Sequence, residues 1–241
     1  MLLIALGRVG NVSAESKGPR VGVNGETFDF GEVPQKATVS HVFWLKNVGD
    51  EVLVIEKMVP NCGCTQAPLE TNKANPGDSI RVEMIFASGY FDGVVTKFTQ
   101  VVSNSTGRAP ALTFTATVVP DSLRSGSLRA EPPLVDLDRD RPVLVDSVWT
   151  SRVALRNHGS EPVQLSLLDS PDRDVTVEMT GQSLAPGDSH ELIFRFPRDL
   201  QDRVFAKSVT LEVTGSQSSR LTVPVAKNLR WGPRTLSAEG S

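Results

Sequence analysis

Two phrases of this chain return at a single spacing. Leu45-Lys46-Asn47-Val48-Gly49-Asp50-Glu51 reappears as Leu155-Arg156-Asn157-His158-Gly159-Ser160-Glu161, 110 residues later. Asn75-Pro76-Gly77-Asp78-Ser79 reappears as Ala185-Pro186-Gly187-Asp188-Ser189 at the same spacing. One match can arise by chance, but two in one register argue for a duplicated module of about β-sandwich size. The 241 residues hold two such copies, each long enough to bury its own core.

The residues inside each phrase say what the module is made of. Val39, His41, Phe43 and Leu45 fall on one face of an extended segment, and Ser40, Val42 and Trp44 on the other. The run ends at Asn47-Val48-Gly49, residue types that tolerate a tight turn, and Val52–Ile55 reads as the returning strand of a hairpin. In the Pro-Gly-Asp phrases, Pro presets φ for the first corner position and Gly supplies positive φ at the second. Alternating runs follow both, Ile80–Phe86 and Glu191–Phe196. Lys97–Ser103, Leu112–Val119, Ser208–Thr214 and Leu221–Val225 are further strand candidates, and helical periodicity is absent over any useful length. The expectation is an all-β chain of two tandem immunoglobulin-like β-sandwich domains of about seven strands each. Their expected bounds are 21–119 and 134–228, with a linker at 120–133 and a tail at 229–241.

Composition narrows the function classes. A net charge of −3, with no stripe of Lys and Arg, argues against nucleic acid as a partner. No window approaches the ~20 apolar residues a transmembrane helix requires. Met1–Leu6 is apolar but stops at Gly7-Arg8, and Val12-Ser13-Ala14 has the small-x-small form of a signal-peptidase site. Residues 1–20 therefore read as a truncated export signal, which places the protein in the periplasm or outside the cell.

Only one constellation is chemically unusual. Cys62 and Cys64, the two cysteines of the chain, flank Gly63 within Pro60-Asn61-Cys62-Gly63-Cys64-Thr65. Such a pair can chelate a soft ion such as Cu(I), or close a small disulfide with a structural or a redox role. Gly63 is expected to let the backbone fold so that both sulfurs face one way. Zinc is disfavoured, because two thiolates leave a tetrahedral site half filled. The aligned positions of the second copy are Asp172 and Asp174, so the module forms without cysteine there.

The remaining candidates are weaker. His158 and His190 sit at turns. His41 lies at a strand start and matters chemically only if folding brings it beside the cysteines. Asp136 and Asp138 fall near a turn and read as solvated. Trp44 and Trp149 are too far apart in the chain to form a sugar-binding platform. Asn11-Val12-Ser13 and Asn104-Ser105-Thr106 match the glycosylation pattern without specificity. No nucleophile elbow, zinc-protease helix or phosphate loop is present, so the chain reads as a non-enzyme. A hydrolase assembled only in three dimensions is the remote alternative.

Phe28-Asp29-Phe30-Gly31-Glu32-Val33, Phe43 to Asn47 with Gly49, Leu53–Lys57, Cys62-Gly63-Cys64-Thr65 and Pro76-Gly77-Asp78 together resemble one family. It is the bacterial domain-of-unknown-function 1573 family, itself similar to the ASPM and Hydin immunoglobulin-like domains. The resemblance covers Thr27 to Val119, and over the second half only the strand-turn phrases survive. It implies a seven-stranded sandwich, usually exported, and no activity. The functional expectation is an exported, non-catalytic binding or scaffold protein that holds an unidentified protein partner. The alternative is a Cu(I)-binding or thiol-redox protein working through Cys62 and Cys64.

Overall fold

The structure, a computed structural model, describes residues 17–120, 126–140, 142–145, 148–169, 175–196 and 204–227. Among them every regular element is a strand. The first half contributes β1 (Val21–Val23), β2 (Thr27–Pro34), β3 (Thr38–Asn47), β4 (Leu53–Pro60), β5 (Thr65–Gln66), β6 (Lys73–Ala74), β7 (Ser79–Ala87), β8 (Gly93–Ser103) and β9 (Ala111–Val119). One sheet runs β1-β3-β7-β5, and β2-β9-β8-β4-β6 lies in another. Alternation along β3, β7 and β9 drives one face of each inward. There Phe30, Leu45, Leu53, Val82, Phe86 and Phe114 belong to one buried cluster.

The second half repeats this arrangement. It contributes β10 (Leu128–Glu131), β11 (Val135–Asp136), β12 (Val143–Val145), β13 (Val148–Asn157), β14 (Val163–Asp169), β15 (Thr176–Met179), β16 (Ser183–Leu184), β17 (Ser189–Phe196), β18 (Phe205–Thr214) and β19 (Ser218–Lys227). The path β10-β13-β17-β15 matches β1-β3-β7-β5, and β16-β14-β18-β19 matches β6-β4-β8-β9. A second cluster, including Leu155, Leu165, Leu192, Phe194 and Val223, fills this half.

The repeated phrases hold equivalent places, because they perform one local task twice. The buried Asn47 amide donates to the carbonyls of Glu51 (2.7 Å) and Ala74 (3.0 Å), while its Oδ1 accepts from Gly49 N–H (3.0 Å). Asn157 does the same with Glu161 (2.8 Å), Leu184 (3.1 Å) and Gly159 (2.9 Å). The Asn47 and Asn157 carbonyls accept from Gly77 and Gly187 N–H, both at 2.9 Å. Gly77 and Gly187 have φ of 86° and 83°, the left-handed conformation that glycine adopts without steric cost.

Three expectations are corrected. The segment after Asn47-Val48-Gly49 is not the return arm of a hairpin. β3 pairs with β1 and β7, whereas β4 pairs with β8 and β6, so the chain arches from one sheet to the other. Asn47 satisfies the arch with its side chain in place of a ladder. The linker is also shorter than 120–133. Leu128 and Ala130 are buried, β10 pairs with β13, and the Ser127 carbonyl accepts from His158 N–H at 2.6 Å. That contact matches Val48 N–H to the Arg20 carbonyl at 2.8 Å. Finally, Gly18–Arg20, placed within the export segment, belong to the fold: Gly18 N–H donates to Asp50 Oδ1 at 2.6 Å. Residues 1–16 and the tail from 229 onward lie outside the described residues. The short β5, β6, β11 and β16 escape a reading by alternation, since two residues carry no period.

The halves do not hang from a flexible joint. β19 pairs in parallel with β2 through Leu221 and Glu32, so both large sheets form one ten-stranded sheet. The opening for this is a bulge in β2 between Asp29 and Glu32. Gly31 sits there with φ 64°, and a Cβ on it would collide with the backbone of Arg220. The freed Phe30 carbonyl accepts from the Thr222 hydroxyl at 2.6 Å, and Arg220 Nη1 donates to the Asp29 carbonyl at 3.2 Å. Buried Ser40 and Ser208 exchange two hydrogen bonds, 3.0 and 2.9 Å. The largely buried Lys207 and Glu83 pair at 2.6 Å.

Candidate functional site

The Cys62–Cys64 loop occupies the crossing from β4 in the large sheet to β5 in the small one. The backbone holds this crossing at both ends. Asn61 N–H donates to the Phe98 carbonyl at 3.0 Å, and Phe98 N–H returns to Asn61 Oδ1 at 3.2 Å. Beyond the cysteines, Ala87 N–H donates to the Cys64 carbonyl at 2.9 Å, and Thr65 pairs with Phe86.

The two sulfurs are joined in a disulfide, with the Cα atoms 5.3 Å apart. Cross-linking residues two apart removes little freedom from the unfolded chain, about 2 kcal/mol, against about 5 kcal/mol for a loop of 100 residues. The bridge also ties neither strand to a distant one, so as a staple it contributes little. Closed in this way it offers a metal no thiolate, and a Cu(I) ion would meet two soft donors only after reduction. Among the described residues no set of three or more His, Cys, Asp or Glu side chains converges on a common point.

No left-handed backbone conformation requires glycine at residue 63. Its φ lies outside the left-handed region, and a Cβ there would meet nothing within 4 Å. The backbone does not demand glycine. A side chain at this position would point into open space. Cys64 packs against the first core, as Cys62 does not, and both are half-buried. Beneath them lies the buried Thr65, whose hydroxyl is 3.5 Å from Cys62 Sγ and 3.9 Å from Cys64 Sγ. Thr65 carried no role in the sequence reading; its place directly after the second cysteine was the available signal.

Apolar side chains stand open near this loop. On β8, Val94 is 77% exposed and Phe98 42%, and Val59 at the end of β4 is 41% exposed. In the turn between β7 and β8, Tyr90 is 80% exposed, with Lys36 Nζ 5.1 Å from its ring centre, and Lys97 Nζ lies 4.6 Å from the centre of Phe91.

Folding places the other candidates elsewhere. His41 is not beside the cysteines. Its ring stacks on Phe28 (centroids 3.7 Å) and its Nδ1 meets Asp169 Oδ2 at 2.5 Å, across the junction of the halves. Exposed His158 lies 3.3 Å from Glu131, and His190 Nε2 meets the Ser183 carbonyl at 2.9 Å. Asp136 Oδ1 accepts from the N–H groups of Asp138 and Arg139 and so shapes a turn. In that turn the Arg139 guanidinium holds the Asp140 carboxyl below its ordinary value. Trp44 is exposed and Trp149 packs against the second core. Asn104 is committed to the fold, accepting from Val54 N–H and donating to the Val52 carbonyl. Asp172, Asp174 and Asn11 lie outside the described residues.

Among solved structures, a protein of unknown function from Porphyromonas gingivalis aligns at 13% identity and TM-score 0.34, over 86% of this chain and 99% of its own. The secreted serine protease VesC from Vibrio cholerae aligns at 10% identity and TM-score 0.33, over 86% of this chain and 50% of its own. The Pseudomonas aeruginosa CupB2 chaperone aligns at 10% identity and TM-score 0.31, over 84% and 98%. No curated protein matches the sequence. Residues 21–118, which carry β1 to β8, most of β9 and the Cys62–Cys64 loop, match the family described as Protein of unknown function (DUF1573).

Proposed function

We propose that the chain is a tandem of two immunoglobulin-like β-sandwich domains acting as a non-catalytic binding or scaffold protein in the periplasm or outside the cell. The observation that carries this reading is the ten-stranded sheet common to both halves. A continuous sheet fixes one half relative to the other, so side chains exposed on the first half are presented in a constant orientation. The first half displays Val59, Tyr90, Val94 and Phe98, apolar side chains of the kind a protein partner covers.

Affinity capture from a native envelope fraction, with the full chain as bait, tests the reading. Wild-type protein is expected to retain a partner that a Val94→Ser/Phe98→Ser variant releases. Recovery of the protein only as a free monomer overturns it.

A further inference from the structure

We propose that Cys62 and Cys64 form a reversible thiol–disulfide exchange site whose substrate is a protein dithiol. The proposal does not rest on the binding reading above. It rests on three features of the loop: a bridge that holds no distant strands together, open space beside Gly63, and a buried hydroxyl facing both sulfurs.

Backbone hydrogen bonds at Asn61, Cys64 and Thr65 keep the loop ends in place whether or not the sulfurs are joined. Opening the bridge therefore leaves the crossing between the sheets intact, a condition for cycling between two redox states. Because Cys64 packs against the core, Cys62 is the sulfur that an incoming group reaches.

In the first step a partner thiolate attacks Cys62 Sγ. A bond forms between the partner sulfur and Cys62, the Cys62–Cys64 bond breaks, and Cys64 leaves as a thiolate beside the Thr65 hydroxyl. The partner's second thiolate then attacks the partner sulfur of the mixed disulfide and expels Cys62 as a thiolate. The partner dithiol has lost two electrons and two protons and has become a disulfide. Cys62 and Cys64 have gained both electrons and, once protonated, are two thiols. The reverse sequence begins with Cys62 as nucleophile, so one residue carries the mixed disulfide in both directions. Thr65, 3.5 and 3.9 Å from the two sulfurs, is a positioning residue that donates to whichever thiolate is formed.

The full chain equilibrated in mixtures of reduced and oxidised glutathione, then alkylated and weighed, provides the first test. The pair is expected to open and re-close reversibly within the series, with an unchanged far-ultraviolet circular dichroism spectrum. A bridge that stays closed throughout, or fails to re-form, overturns the proposal. Single-thiol variants provide the second test. With oxidised glutathione, the Cys62 thiol of Cys64→Ser is expected to react about tenfold faster than the Cys64 thiol of Cys62→Ser, and equal rates overturn the assignment of Cys62. Thr65→Val is expected to slow exchange about tenfold, the factor carried by one hydrogen bond to a charged group, with recovery in Thr65→Ser. A Thr65→Val protein that is folded and exchanges at the wild-type rate removes Thr65 from the mechanism. The Cys62→Ser/Cys64→Ser protein separates the two proposals: partner capture without exchange leaves the binding reading standing alone.

Discussion

At the scale of single residues, the buried asparagines and one glycine do the most. Asn47 satisfies two carbonyls and an N–H in an arch that has no ladder of its own. Asn47→Ala strands those groups away from water, and we expect a loss of about 2–4 kcal/mol in a urea titration. Asn157→Ala, removing the same set from the second half, should cost a similar amount. Two glycines separate conformational from steric cost. Gly25 and Gly31 both have positive φ, at 81° and 64°, but a Cβ on Gly25 meets nothing while one on Gly31 meets the Arg220 backbone. Gly25→Ala should cost only the left-handed penalty of about 1–2 kcal/mol. Gly31→Ala should cost clearly more, because Arg220 must also withdraw. Equal losses in thermal unfolding would show that the halves approach less closely at this bulge.

At the scale of elements, β10 decides where the sheet of the second half starts. Its alternation buries Leu128 and Ala130 and exposes Glu131, and it pairs along β13 as β1 pairs along β3. A fragment beginning at Leu134 lacks this strand and uncovers one side of the second core. We expect it to be soluble only in part and to bind a hydrophobic dye, whereas a fragment beginning at Gly126 should unfold cooperatively. In the full chain, Leu128→Ala is expected to lose about 2–4 kcal/mol, the range for truncating a buried leucine.

At the scale of the whole molecule, the shared sheet couples the two cores. Glu83 and Lys207, both largely buried, meet across the junction close to the Ser40–Ser208 pair. Glu83→Ala leaves the Lys207 ammonium without that carboxylate, and a loss of about 2–4 kcal/mol is expected. The Lys207→Met/Glu83→Leu pair should lose less, because neither charge then remains to be desolvated. Calorimetry of the wild type should show one transition. Glu83→Ala combined with Gly31→Ala should show two, one for each core. Two transitions in the wild type would mean that the shared sheet does not transmit stability between the halves.

Local rules made the strands, the turns and the duplication readable from the amino-acid order. Alternation of Val39, Phe43 and Leu45, and the left-handed Gly77 and Gly187, depend on neighbours a few residues away. The cysteine pair was equally visible, and its chemistry belongs to the residue type. Which sheet β4 joins, where β10 begins, and how Gly31 admits Arg220 depend on partners far along the chain, and no local pattern encodes them. The same is true of His41, whose partner Asp169 lies in the other half. Propensity and period fix φ, ψ and facing direction, whereas register, sheet membership and the exposure of a sulfur follow only once distant strands have packed.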